Sequence, residues 1–348
     1  MRVVVDVMGG DHGCEVIIAG VKRALQANAH IRGLFLVGNQ DEIKAALTRV
    51  NCADGRIEIV HSTEVLSMAD KPIVGLRKKK DCSIARAVDL IKEGQAEALV
   101  SPGNTGGVVA SATIKLRPLP GIERPAIATV IPARENEFVL LDAGANVECR
   151  PIHLLQYAIM GSVYSREILG YPKPRVGLLS VGTEDTKGND LTREAFKLCR
   201  QADLNFIGNV EGHDLFENRV DVVVCDGFVG NVVLKTCESL AMSLIAWLKL
   251  ELTHNLVRKL GAVMAQGAFR TLKRRLDPDN HGGAPLLGVN GNVMIAHGSA
   301  RAGAIMNAIR MAVEVTQHNI NQLIVKEVAA AKARLTVDKL PQPESSLA

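Results

Sequence analysis

The stretch Ala98-Leu99-Val100-Ser101-Pro102-Gly103-Asn104-Thr105-Gly106-Gly107 decides how the rest of the chain is read. Ala98–Ser101 is small or apolar at every position, so it predicts a strand with no polar face. Such a strand must be covered on both sides, the environment of a parallel or mixed sheet between helices. After the Pro102-Gly103 turn a helical pattern runs over 104–116. The same unit recurs along the chain. Further strands are expected at 3–7, 34–37, 57–60, 127–131, 138–141, 176–180, 205–207, 222–225 and 293–296, with helices near 15–27, 40–50, 83–94, 152–169, 190–202 and 299–333. The alternation predicts an α/β fold, an α/β/α sandwich. A chain of 348 residues is about twice the usual domain size, which favours two lobes. There is no internal repeat and no linker rich in Pro, Gly or Ser. Residues 1–335 therefore read as one unit of two intimately joined lobes, and 336–348, ending PQPESSLA, as a disordered tail.

Composition removes several function classes. A net charge of +4 spread over the chain, with aromatic residues at 3%, argues against a nucleic-acid binder. The longest uncharged stretch, 280–300, contains five glycines and Pro285, so it does not read as a membrane span. Asp6 interrupts the apolar start MRVVVDV where a signal peptide needs continuity. Seven scattered cysteines with no C-x-x-C pair suit reduced thiols in a cytoplasmic protein.

The segment 231–276 differs from the rest. It has no proline and carries apolar residues at helical spacing, interrupted at Thr253-His254-Asn255, so a pair of long helices joined by a turn is expected. The run LAMSLIAWL (240–248) is apolar nearly all round and must be buried in protein or lipid. Between 249 and 276 seven basic residues stand against one acid, Glu251. A dimer-interface helix pair, an anionic membrane contact and an acidic protein partner all fit this pattern.

No G-x-G, no Gly-Lys, no G-x-S-x-G and no paired-histidine zinc motif occurs. What recurs instead is glycine beside Asp, Asn, Thr, His or Lys just after strands. The loops are DVMGGD (6–11), SPGNTGG (101–107), LDAGAN (141–146), SVGTEDTKGND (180–190), CDGFVGN (225–231), HGGA (281–284) and AHGS (296–299). In open α/β sheets ligands bind beyond the carboxyl ends of strands, where glycine frees backbone N–H groups to cradle an anion. Seven such loops predict a shared anion-binding site.

These loops, in this order, resemble the bacterial acyl-carrier-protein:phosphate acyltransferases of phospholipid synthesis. The resemblance continues through ERPAIATVIP (123–132), PRVGLLSVGTEDTKG (174–188), IGNVEG (207–212), DVVVCDGFVGNVVLKT (221–236) and GGAPLLGV (282–289), covering roughly residues 1–325. Cys14, Pro102, Gly107 and Ser239 depart from the usual pattern without removing a polar candidate. The resemblance implies a fold like isocitrate and isopropylmalate dehydrogenases and phosphotransacetylases, with a cleft between lobes. It implies transfer of a long-chain acyl group from acyl carrier protein to inorganic phosphate, giving acyl phosphate. It also implies a homodimer, a downstream membrane glycerol-phosphate acyltransferase, peripheral membrane contact through the 240–276 helices, and neither metal nor organic cofactor. A short-chain enzyme using coenzyme A thioesters, a decarboxylating dehydrogenase and a non-catalytic membrane scaffold are the competing readings.

Phosphate near neutrality is already an oxygen nucleophile, and a thiol of pKa about 8.5 leaves readily. The absence of an activated serine is therefore consistent with this reaction. Candidate catalytic residues are Asn104, Lys187, Asp226, Asn231 and His297, with Gly103, Thr105, Gly106, Asp142, Asn146, Gly227 and Lys235 as phosphate or acyl contacts. Asn104, Thr105 and Gly106 open a helix and either contact phosphate or simply cap it. Lys187 either neutralises phosphate or is an ordinary surface lysine. Asp226 and Asn231 flank Gly227 and Gly230, for proton handling or for capping. Lys235, one helical turn beyond Asn231, can face the same site. His297 is either an acid–base group or a satisfied core histidine. The basic runs at 258–275 and 77–80 suit an acidic carrier or a membrane, and sequence does not divide them.

Overall fold

In the computed structural model, which describes residues 1–276 and 282–337, eleven strands form a single sheet. They are β1 (Arg2–Asp6), β2 (Gly33–Gly38), β3 (Ile57–His61), β4 (Ala98–Ser101), β5 (Ala126–Pro132), β6 (Glu137–Leu141), β7 (Val176–Leu179), β8 (Phe206–Val210), β9 (Val222–Val224), β10 (Ala284–Leu287) and β11 (Asn292–Ile295). The helices are α1 (Gly13–Ala27), α2 (Gln40–Val50), α3 (Pro72–Lys78), α4 (Ser83–Lys92), α5 (Thr105–Lys115), α6 (Pro151–Glu167), α7 (Asp190–Gln201), α8 (Gly227–Thr253), α9 (Leu256–Met264), α10 (Gln266–Leu276), α11 (Ala302–Gln317) and α12 (Ile320–Val337).

The strand order is β3-β2-β1-β4-β11-β10-β5-β6-β9-β7-β8. The first five strands are mutually parallel, as are the last four. Between them the β11–β10, β10–β5 and β5–β6 pairings are antiparallel, so the two parallel blocks run in opposite senses. These blocks are the cores of the two lobes.

Strands β1, β2, β4 and β9 are buried at nearly every position, and alternate residues join different clusters, as expected of strands covered on both faces. Val3, Val5, Ala98, Val100, Val139, Leu141, Val222 and Val224 point into one apolar cluster that runs behind both blocks and includes α1, α6 and α11. Val4, Phe35 and Leu99 point to the other face, into a cluster with α4 and α5. Phe138, Leu140 and Val223 share that second face but belong to a separate cluster. One face of the sheet is thus continuous and the other is divided. Leu234, near the start of α8, packs against both halves of the divided face.

Four expectations change. The helix pair expected over 231–276 is three helices, starting at Gly227 and broken at 254–255 and again at Ala265. The stretch 299–333 is two helices, separated where Asn319 takes φ 53°. Strand β10 and helix α3 have no counterpart among the predicted elements. Residues 336–337 complete α12, and the remainder of the expected tail lies outside the described residues.

Candidate active site

Two groups of strand-end loops collect most of the predicted residues. The first lies where β1, β4 and β11 end. Asp6 is fully buried; Ser101 Oγ donates to its Oδ2 at 2.7 Å and the Met8 N–H to its Oδ1 at 3.1 Å. Burial pushes this carboxyl above its ordinary pKa, against the pull of those bonds. The loops after β1 and β4 touch backbone to backbone: a Cβ on Gly9 would lie 2.4 Å from Gly103 Cα. The Asp11 N–H donates to the Gly298 carbonyl at 2.8 Å, drawing the loop after β11 against the first.

Asn104 is buried and caps α5, its Oδ1 accepting the Gly107 N–H at 2.9 Å. Its amide nitrogen donates to the carbonyls of Ser67 at 3.0 Å and Asp70 at 3.2 Å. Both ends of the side chain are therefore occupied in fastening the 67–70 loop to the head of α5. Thr105 is exposed, and the backbone N–H groups of Thr105 and Gly106 have no acceptor among the described residues. His297 is exposed at the loop, not within the core. Its Nδ1 accepts the Ser299 N–H at 3.2 Å, so the neutral ring carries its proton on Nε2.

The second group lies where β6 and β9 end. Asp142, fully buried, accepts five N–H groups: Ile127, Gly144 and Ala145 on Oδ1, and the backbone and side-chain nitrogens of Asn146 on Oδ2. Burial pushes its pKa up while the donors pull it down. Asn146 Nδ2 also donates to the Pro125 carbonyl at 2.7 Å, and its own carbonyl accepts the Gly227 N–H at 2.8 Å. Asp226 caps α8 through bonds from Phe228 and Val229, each 2.9 Å. The helix can approach this loop only because Gly227 and Gly230 lack side chains; a Cβ on Gly230 would sit 1.9 Å from the Asp142 carbonyl oxygen. Asn231 is exposed and lies over the Gly144 turn. Lys235 is paired with Glu238 at 3.0 Å on the exposed helix surface.

Lys187 stands apart from both groups, exposed in the loop after β7, where its aliphatic stem packs over Gly182. Because β7 neighbours β9, this loop leaves the sheet beside the Cys225–Asp226 turn. Val108 and Val109 of α5 belong to the same apolar cluster as Ala143 and Ala145. Cys149 and Cys225 beside the second group have pKa values raised by burial, so neither supplies a thiolate nucleophile.

Two features were absent from the predicted site. The Asp6–Ser101 pair joins residues 95 positions apart and has no local signature. The 62–72 loop had a signal in Ser67-x-x-Asp70 before Pro72, since Ser67 N and Oγ both donate to Asp70 Oδ2. The chemistry left available is a set of donors: backbone N–H groups at the head of α5, the Thr105 hydroxyl, the His297 Nε2–H, the Asn231 amide and the Lys187 ammonium. Donors of this kind suit an anionic substrate and a developing oxyanion.

Comparison with known proteins agrees with this chemistry. Residues 1–323 match the family described as "Fatty acid synthesis protein". A phosphate acyltransferase of Pelotomaculum thermopropionicum is 46% identical over 334 residues, covering 96% of this chain and 97% of the relative. One from Syntrophotalea carbinolica is 47% identical over 336 residues, covering 97% and 96%. Among solved structures, a branched-chain phosphotransacylase from Enterococcus faecalis superimposes with a TM-score of 0.60 at 15% identity, covering 92% of this chain and all (100%) of that one, which supports the fold. The chain is an acyltransferase and belongs to the fatty acid synthesis protein family, alongside the phosphate acyltransferases.

Proposed function

We propose that this enzyme transfers a long-chain acyl group from acyl carrier protein to inorganic phosphate. The observation that carries the reading is the donor-rich head of α5, where the Thr105 and Gly106 N–H groups have no acceptor among the described residues, beside His297's loop. In this reading a phosphate oxygen attacks the thioester carbonyl carbon, giving a tetrahedral oxyanion. Its collapse breaks the carbon–sulfur bond and releases the carrier thiolate, which takes a proton. The α5 N–H groups and Thr105 bind phosphate or the oxyanion, with Gly103 allowing the backbone to approach. Lys187 neutralises phosphate, Asn231 orients it, and the His297 Nε2–H donates a hydrogen bond to the departing thiolate, which takes its proton from solvent. Asn104, Asp142, Asn146, Gly227 and Asp226 hold the loops in place. Lys235 serves the acyl chain side, beside the apolar face of α8. Removing one such donor from a comparable site costs roughly 3–4 kcal/mol of transition-state stabilisation.

The same reading places the product, an acyl phosphate, in front of a membrane glycerol-phosphate acyltransferase. A homodimer is supported by α8, whose Leu240, Leu244 and Trp247 share one face and are all at least half exposed in the single chain. That face meets the demand for burial that its sequence makes, once a second copy covers it. Peripheral attachment of a cytoplasmic enzyme is supported by α9, where Leu256, Val257, Leu260, Val263 and Met264 are exposed beside Lys259.

The test incubates the purified enzyme with palmitoyl carrier protein, with and without phosphate, and traps acyl phosphate with hydroxylamine. Phosphate-dependent thiol release is expected. Its absence would sink the reading, and better turnover of coenzyme A esters would replace the donor. Lys187→Ala is expected to lower kcat/KM about 100-fold without moving the melting temperature, the loss appropriate to one charge-bearing contact in the transition state.

A further inference from the structure

Two basic regions compete for the acidic carrier, and their surroundings differ. On the projecting arm, Arg258 is paired with Glu251, and Arg275 turns inward to donate to the carbonyls of Ala133 at 2.9 Å and Arg134 at 2.6 Å. Around α3, Lys71, Arg77, Lys78 and Lys80 are exposed and have no acidic partner among the described residues. Among the described residues only Lys79 is neutralised there, by Asp70 at 2.6 Å. The flanking acid Asp81 is occupied by Thr63 and Arg86. Interleaved with these cations are Met68, Ile73 and Val74, which are 49%, 55% and 48% exposed. A surface of unpaired cations around exposed apolar side chains fits an acidic protein that also offers an apolar contact.

The position of α3 selects the carrier as that protein. Leu66 and Pro72 pack directly on the head of α5, so that a Cβ on Gly107 would lie 2.2 Å from Leu66 Cδ2 and one on Gly106 2.6 Å from Pro72 Cγ. Asn104 fastens the same segment from within. The basic surface is therefore fixed to the donor-rich turn where the thioester must arrive. We infer that the exposed face of Lys71–Lys80 is the docking surface for the acidic carrier protein, and that it steers the thioester arm to the head of α5. The inference rests on the carrier-dependent reading proposed above.

Steady-state kinetics of Arg77→Glu combined with Lys78→Glu, neither of which belongs to the proposed catalytic set, test it. With palmitoyl carrier protein KM is expected to rise about tenfold at unchanged kcat, because charges at a docking rim act on encounter. The wild-type KM is expected to climb with salt and the variant's to stay flat. With a palmitoyl N-acetylcysteamine thioester, which has no carrier, the two enzymes are expected to be equal. An unchanged KM for the carrier substrate would overturn the inference, as would an equal loss with the small thioester. So would a larger KM increase from Lys259→Glu with Arg270→Glu on the arm, or loss of binding to phosphatidylglycerol vesicles on reversal at α3 but not on the arm. A wild-type enzyme that turns over the small thioester but not the carrier substrate would instead remove the carrier-dependent reading itself.

Discussion

The heads of α5 and α8 begin alike and are held differently. Each starts after a buried strand, with an Asn or Asp cap in front of glycines. At α5 the cap residue does two jobs, satisfying its own helix and reaching three residues of a distant loop through one amide. At α8 the cap serves only its own first turn, and the neighbouring loop is fixed by backbone contact through Gly227 and Gly230 and by the five-donor Asp142. Side-chain hydrogen bonds can be removed one at a time at a cost near that of a cap. Backbone contact between two loops cannot be relaxed without moving a core strand. The 67–70 loop is consequently held by bonds that can be removed singly, whereas the 142–146 loop forms a wall of backbone contact.

The hardest test of that wall is Gly230→Ala. The added methyl carbon meets the Asp142 carbonyl oxygen at 1.9 Å, and the obstacle is backbone rather than a flexible side-chain end. A loss of about 3 kcal/mol or more is expected, read as a lowered urea midpoint with activity falling in parallel. A soluble, fully active variant of wild-type stability would show that α8 can shift, and the contrast with α5 would fall.

Much of this architecture is visible in the residues themselves. Strands apolar at every position, such as Val3–Val5 and Val222–Val224, are legible because burial on both faces leaves no room for a polar residue. Strand β10 escaped because Pro285 and the glycines at 282, 283 and 288 read as loop, although Pro285 sits where β10 passes from pairing with β11 to pairing with β5. The site was legible as a set of loops and much less so as a set of roles. Asn104 and Asp142 carry the residue types of a catalytic site, yet their partners are backbone groups of Ser67, Asp70, Ile127 and Gly144, and a backbone donor or acceptor has no sequence signature. The apolar run of α8 reads in sequence as a helix to be buried, yet Leu240, Leu244 and Trp247 are exposed in the chain.

Asn104→Ala tests the 67–70 loop. It removes the cap and strands the carbonyls of Ser67 and Asp70, so a loss of about 2 kcal/mol is expected in chemical denaturation. Native-state hydrogen exchange is expected to rise in 62–72 and at the head of α5, and to stay unchanged in 142–146. If exchange rose equally in both regions, the two loop groups would open as one unit and the distinction between them would be wrong.

The smallest effect separates capping from chemistry at Asp226. Its carboxylate is half-buried, takes two N–H bonds at 2.9 Å from its own helix, and has no other polar partner among the described residues. Replacing it with Ala removes the cap and is expected to cost about 1 kcal/mol, while Asp226→Ser, which can cap, restores most of it. If Asp226 only caps, activity follows stability: reduced modestly in the alanine variant and recovered in the serine one. If instead it moves a phosphate proton, serine restores the melting temperature and leaves turnover low, because a hydroxyl does not ionise near neutrality as a carboxylate does. The serine variant's kcat/KM at wild-type stability therefore decides whether the head of α8 is scaffold alone or also part of the chemistry.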